Sequence, residues 1–381
     1  MIKFSLTAPG KVILFGEHSV VYGKTAIAAS IGLRTRLNFR ETEHDFIEIN
    51  FENINLHYEI QIKDLDNLIE LLNACIDDIS PQMPNHDKFL QLIVEYLENH
   101  CKLQKLTNIQ KPALISFVYL LTGIRSYKKY KSSSGFNIYV DSTLRVGAGL
   151  GSSASFSVVL AGCFLQEIIF RQLNSSDMIQ FNAEQLSEIS QWAYCSERIM
   201  HGTPSGLDNS ICTYGSIVRF RRNEELAVLQ LDNSFEALLV DTLVPRQTKV
   251  MVGNVRTLVE NHPILANCVL DAMDQVAKDA EKILTSKYDP DNCKKLKELI
   301  KINQGLLQTI GVSHSSINTI CQIAEDKNVA AKLTGAGGGG FCIVVPIDSD
   351  PAKLTELTRA LENSGFPTKR ILLGGPGLRI E

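Results

Sequence analysis

The sequence predicts an α+β protein of two domains. Strand-like and helix-like stretches are mixed rather than strictly alternating, which points to α+β layers. At 381 residues the chain is long for a single core. A polar break, DNSF from Asp232 to Phe235, marks the expected boundary, giving domains 1–233 and 234–381.

The elements follow in order. Residues 2–7 predict a strand, and Val12 to Phe15 form a second apolar run after an APGK turn. Thr25 to Ile31 reads as a buried strand or a helix start, whereas Arg34 to Phe39 and Phe46 to Ile49 alternate as strands do. Helical spacing runs over Asp64 to Asp78, Lys88 to His100 and Lys111 to Leu121. Phe136 to Val140 alternates again. GAGLGSSASFS (Gly147 to Ser157) leads into an apolar run, Phe156 to Phe170, suited to a helix. Ser176 is the expected N-cap of a helical region ending near Met200, followed by a loop, HGTPSGLDN. Ser216 to Phe220 and Leu226 to Leu231 predict strands. The second half predicts a strand at Ala237 to Val240, then helices at Thr257 to Glu260, Pro263 to Leu284 and Asp291 to Ile310. Strands at Val329 to Leu333 and Phe341 to Val345 flank GAGGGG. A helix (Lys353 to Ser364) and a strand (Thr368 to Leu373) complete the chain.

Composition narrows the function. With 44% hydrophobic and 21% charged residues and a net charge of −4, the chain is ordinary for a globular protein. That charge disfavours a nucleic-acid or polybasic membrane surface. The basic cluster Lys128, Lys129 and Lys131 precedes a Ser-rich turn and reads as a solvated loop. Nine scattered cysteines without a C-x-x-C pair suggest reduced thiols. No apolar leader is visible, and the apolar runs look shorter than the ~20 residues of a membrane span. A cytoplasmic enzyme is expected.

Three loops carry the candidate chemistry. GAGLGSSAS combines three glycines, the adjacent hydroxyls of Ser152 and Ser153 and a helix start, so backbone N–H groups and the positive helix end converge on one place. That is an anion site, most often for phosphate, and a hydroxyl at its edge can reach a phosphate-bound Mg²⁺. The segment APGKVILFGEHSVVYGK (Ala8 to Lys24) sets Lys11, Glu17 and His18 around an apolar strand. Each could equally be an exposed charge or a structural histidine. It is not a Walker loop, because His18 stands where the first glycine is required. GAGGGG contains the spacing of a dinucleotide fingerprint at Gly335, Gly337 and Gly340, but a strand follows where a helix is needed. It can serve a ligand or simply turn the chain. Glu197 and Asp208, eleven positions apart across a Gly-Thr-Pro-Ser-Gly turn, can divide into a metal ligand and a group near a proton in transfer. An Asp after a turn is also a common helix N-cap.

APGKVILFGEHSVVYGK, GAGLGSSASFS and KLTGAGGGGFCI (Lys332 to Ile343), in this order, resemble the three signature segments of the GHMP small-molecule kinases. The resemblance spans nearly the whole chain. GEHSVVYGK, HGTPSGLDN, VPRQTK and INQGLLQTIGVSHSS are most similar to the branch of that family acting on mevalonate.

The resemblance implies a two-domain GHMP kinase fold, with a ribosomal protein S5 domain 2-like N-terminal domain and a ferredoxin-like C-terminal domain. A left-handed βαβ crossover is expected in the first. It implies ATP-dependent phosphorylation of the primary hydroxyl of (R)-mevalonate, with ATP and Mg²⁺ required. Gly147, Gly149, Leu150, Gly151, Ser152, Ser153 and Ala154 would wrap the ATP phosphates. Ser153 and Glu197 would bind Mg²⁺. Asp208 and Lys11 would be catalytic. Glu17, His18, Asp208, Thr248, Gly335 and Ala336 would hold the substrate, with Arg246 beside them. A homodimer and feedback inhibition by isoprenoid diphosphates are further expectations. Two alternatives stay open: a relative acting on another alcohol, and a catalytically silent one that only binds ligand.

Overall fold

The structure is a computed structural model. It describes residues 1–381 except 101–102, 132–133, 174–179, 203, 223, 225, 230–234, 288 and 346–350. The chain begins with β1 (Lys3–Phe15), β2 (Ala26–Glu41), β3 (Phe46–Phe51) and β4 (Leu56–Gln61), then α1 (Ile62–Cys75), α2 (His86–His100) and α3 (Gln110–Tyr127). β5 (Phe136–Ser142) precedes α4 (Ser152–Leu173), α5 (Ala183–His201) and α6 (Leu207–Tyr214), and β6 (Ile217–Phe220) and β7 (Ala227–Leu229) form a hairpin. After β8 (Phe235–Asp241) come α7 (Thr248–Asn261), α8 (Pro263–Leu284), α9 (Pro290–Thr309) and α10 (Ser315–Asp326). β9 (Ala330–Leu333), β10 (Phe341–Val345), α11 (Pro351–Asn363), β11 (Thr368–Leu373) and β12 (Arg379–Ile380) close the chain.

Two sequence expectations merge. The strand at 2–7 and the run at Val12–Phe15 are one strand, because the APGK segment stays paired with β2 across a register shift between Pro9 and Gly10. A bulge tolerates a proline that cannot donate to the ladder. β2 likewise unites Thr25–Ile31 with Arg34–Phe39. Its first six residues are buried, while the rest alternates between buried and more exposed positions. That explains why only the second half showed period-two patterning.

The strand order of the sheet runs β4-β3-β5-β2-β11-β8-β10-β9, with β1, β6, β7 and β12 attached beside β2 and β1. β3 and β5 are parallel, joined through β4 and α1 to α3. In the second half the order β11-β8-β10-β9 is antiparallel throughout. With helices between its first two and last two strands, this is the ferredoxin-like arrangement. One residue pair, Leu373 with Ile31, joins the two halves of the sheet.

α4 is the central helix of the first half. At 22 residues it is longer than the apolar runs read from sequence, and by length and composition it could cross a membrane. Its most apolar window is 83% buried inside the protein, so it serves as a core helix. Trp192 of α5 and Phe117 of α3 pack with it in the same apolar cluster. Buried Arg125 and Glu167 pair at 3.0 Å within that packing.

Other differences are local. α5 starts at Ala183 under an Asn182–Gln185 capping box, and the expected Ser176 cap lies outside the described residues. The expected boundary falls largely within 230–234, also outside them. α7 extends nine residues earlier than Thr257, and β4, α6 and α10 occupy stretches with no such assignment from sequence. β12 leaves the second half and pairs with β1, so the C-terminus packs on the first domain. None of the eight described cysteines forms a disulfide, and Cys101 lies outside the described residues.

Candidate active site

The main cleft lies at the start of α4, next to β1. Lys11 points from β1, and its backbone N–H donates to the Leu150 carbonyl at 2.8 Å, pinning the first glycine loop to the strand. That loop delivers the chain into Ser152, the first residue of α4. Ser155 N–H already donates to Gly151, so the amides ahead of it form the unpaired N-terminal end of the helix. The side chains of Leu150 and Ala154 are buried in the core, and these two can offer only backbone to a ligand.

The cleft has a volume of about 900 Å³. Gly147, Gly149, Gly151, Ser152 and Ser153 line it together with Glu197, Asp208, Arg246 and Thr248. Residues read separately from four distant segments therefore meet. Phe51, Ile54, Ile109, Pro112, Val140 and Phe156 add an apolar part to the lining, and Asn53 and Asn108 add amides.

The carboxylates occupy different environments. Asp208 is the second residue of α6, and the cap position belongs to Gly206. The N-cap alternative is thereby excluded, and the Asp208 carboxylate meets Lys11 Nζ at 3.0 Å. Glu197 lies one turn before the end of α5, almost fully buried. Burial, and then the charge of Asp208, push its carboxyl up to about 8. Ser153 Oγ donates to Glu197 Oε2 at 3.3 Å, while Glu197 Oε1 is buried with no partner among the described residues. An orphaned carboxylate oxygen beside a hydroxyl is a hard-oxygen donor pair. Mg²⁺ typically takes one or two protein oxygens and completes its shell with water and phosphate. The residues present fit that ion.

The third loop lies against Arg246, and neither it nor His18 is among the described residues that line the cleft. His18, at φ 61, bonds the Ala336 carbonyl through Nε2 at 2.8 Å. Burial lowers its pKa, which favours the neutral ring. Gly337 is required here: at φ +74 a side chain would be strained, and its Cβ would strike the Val312 carbonyl. Arg246 lies between the loops, against Gly149 and near Gly335. A Cβ on Gly149 would fall on its guanidinium. Burial lowers the Arg246 pKa, and its Nε has no partner among the described residues.

Glu17 stands apart. It is buried behind the cleft, paired with buried Lys332, and accepts a bond from Asn303 Nδ2 at 3.1 Å. Both of its oxygens are engaged inside the protein, so the structure does not bring it to the cleft. Thr248 opens α7 at the cleft edge and is exposed. Sequence reasoning passed over Asn53, Asn108, Lys249 and His201, which also line the cleft. His201 had a usable signal, since it follows Glu197 by four residues on a helix and so shares its face.

Two family models match the chain: the GHMP kinases N terminal domain over residues 118–216, and the GHMP kinases C terminal over 291–366. The mevalonate kinase of Mus musculus is 33% identical over 98% of this chain and 94% of its own length. The chain belongs to the mevalonate kinase family. The fold agrees with solved mevalonate kinases. That of Methanococcus jannaschii superposes with a TM-score of 0.71 at 23% identity, covering 97% of this chain and 98% of its own. The L. major mevalonate kinase, solved in complex with R-mevalonate, gives 0.68 at 21% identity, covering 97% and 96%. As in other kinases of the GHMP family, ATP is the phosphoryl donor.

Proposed function

We propose that the chain transfers the γ-phosphoryl group of ATP to the primary hydroxyl of (R)-mevalonate, giving ADP and 5-phosphomevalonate, a precursor of isoprenoids and sterols. The observation that carries this is the Lys11–Asp208 pair, set beside the glycine loop that leads into α4. It occurs in a chain similar over nearly its full length to mevalonate kinases.

Phosphoryl transfer depends mostly on positioning and on stabilising charge. The apolar part of the cleft suits a flat nucleobase, which directs the phosphates toward the first glycine loop and the α4 amides. Ser153 and Glu197 would hold Mg²⁺, which when bound neutralises charge on the phosphates. Asp208 orients the mevalonate hydroxyl and accepts its proton, and Lys11 stabilises negative charge on the attacking oxygen or the transferring group. Arg246, between the two glycine loops, adds positive charge to the same space. His18, bonded to Ala336 behind Arg246, would hold the third loop in place.

Inhibition by isoprenoid diphosphates belongs to the same reading, since a site for ATP phosphates also suits a diphosphate. A homodimer in the cytoplasm is the form the family resemblance supports. The test is product analysis: incubation with Mg-ATP and (R)-mevalonate should yield mevalonate carrying one phosphate ester at C5, visible by ³¹P NMR and mass spectrometry. Absence of that product would refute the proposal.

A further inference from the structure

The nucleotide-site reading gives His201 no task, although it lines the cleft. His201 is the last residue of α5, and its imidazole is more than half exposed in the cleft. Its Nε2 lies 2.9 Å from Ser153 Oγ. It also lies 3.8 Å from Glu197 Oε2, one helical turn back on the same face. Ser153 Oγ thus has two neighbours among the described residues: a carboxylate oxygen at 3.3 Å and an imidazole nitrogen at 2.9 Å.

A hydroxyl carries one proton and two lone pairs. With the Ser153 proton directed at Glu197, as the 3.3 Å bond has it, both groups are turned toward each other rather than toward a shared cation. An ion held by both oxygens needs the Glu197 oxygen and a Ser153 lone pair aimed at the same point. The Ser153 proton must then go elsewhere, and the imidazole nitrogen is the shorter contact already in place. This matches the general pattern in which a ligand's own hydrogen bond fixes its orientation toward a metal.

We propose that His201 is a positioning residue for the nucleotide-bound cation: its Nε2 accepts the Ser153 hydroxyl proton, so that the Ser153 oxygen presents a lone pair beside Glu197. The inference rests on the nucleotide-site reading above and extends it to His201, the first residue of the HGTPSGLDN segment, to which the resemblance gave no role. His201 would touch neither the transferring group nor mevalonate, so its effect should be confined to cation-dependent nucleotide binding.

Binding separates this role from a structural one. The full chain is titrated calorimetrically with Mn²⁺-ATP and, in EDTA, with metal-free ATP. His201→Leu should weaken Mn²⁺-ATP binding about 10-fold, the size of one lost neutral hydrogen bond, and leave metal-free ATP binding within about 2-fold. His201→Gln, whose side-chain amide can place an acceptor near the Nε2 position, should recover most of the loss. Adding His201→Leu to Ser153→Ala should cost nothing further, because the bond is already gone. Unchanged Mn²⁺-ATP affinity in His201→Leu, or equal weakening with and without the metal, would overturn the assignment. A wild-type chain that binds ATP with no dependence on a cation would overturn the cation-site reading itself, and the role of His201 with it.

Discussion

Lys11 Nζ and Asp208 Oδ1 lie 3.0 Å apart, joining β1 of the sheet to the first turn of α6. The Lys11 side chain is 6% exposed, while that of Asp208 is 35% exposed. One partner is thus anchored in the protein while the other faces the cleft. Asp208→Ala is expected to lower kcat about 10²- to 10⁴-fold, the usual yield of positioned proton transfer, with ATP affinity preserved. Steady-state kinetics with a separate nucleotide-binding titration checks this. Near-normal turnover would remove Asp208 from the mechanism.

Glu197 makes a proton-linked prediction. In the ligand-free protein its carboxyl titrates at about 8, raised by burial and then by Asp208. At pH 7 it is mostly protonated, and cation binding must displace that proton. Calorimetry of Mg-ATP binding in buffers of different ionisation enthalpy should show release of close to one proton at pH 7, falling toward none at pH 9. Glu197→Gln should abolish the release and weaken Mg²⁺-dependent ATP binding.

The same shift affects stability. The folded value lies above the ordinary carboxyl value of 4.5, so the folded chain takes up a proton relative to the unfolded one. The associated stability is full below about 4.5 and is lost as pH rises through about 8. Ligand-free Glu197→Gln should therefore gain in Tm relative to wild type as pH is raised across that window, even as it loses activity. A pH-independent difference in Tm would contradict the buried, raised carboxyl.

Lys332 and Glu17 form a buried pair that also engages Asn303. Lys332→Met would strand a buried carboxylate, with an expected loss of about 3–5 kcal/mol. Adding Glu17→Gln should restore much of that loss. Denaturant unfolding of the two variants checks the coupling. If Glu17→Gln alone raised KM for mevalonate with stability unchanged, Glu17 would be a substrate contact after all.

Gly149 allows Arg246 to lie against the first glycine loop. Gly149→Ala meets both a φ of +80 and the guanidinium, so the loop or Arg246 must move. About a tenfold fall in kcat/KM is expected, with Tm reduced by only a few degrees. Wild-type kinetics in this variant would show that Arg246 does not depend on the loop.

Much of the site was legible because its chemistry sits in short, glycine-marked segments. Lys11, Ser153, Glu197 and Asp208 could be named from spacing and residue type, together with the family resemblance. The burial of Glu17 against Lys332 was not legible, because a carboxylate beside a histidine in a signature segment gives no sign of a partner 315 positions later. His201 was readable from its spacing to Glu197. Asn53 and Asn108 were not, since they sit at the ends of unrelated elements brought together only by the β3–β5 pairing and the packing of α3. In the fold, β1 and β2 were each read as two pieces. A bulge at Pro9 and a fully buried half-strand both erase the alternation that marks a strand. The ferredoxin-like order of β8 to β11 came from the resemblance, because strand order leaves no local trace.

The most direct measurement is ADP release by the purified chain with Mg-ATP, comparing mevalonate with galactose, homoserine and 5-phosphomevalonate. The account predicts fast turnover with mevalonate alone. Turnover with another of these alcohols, or ATP binding without turnover on any of them, would contradict it.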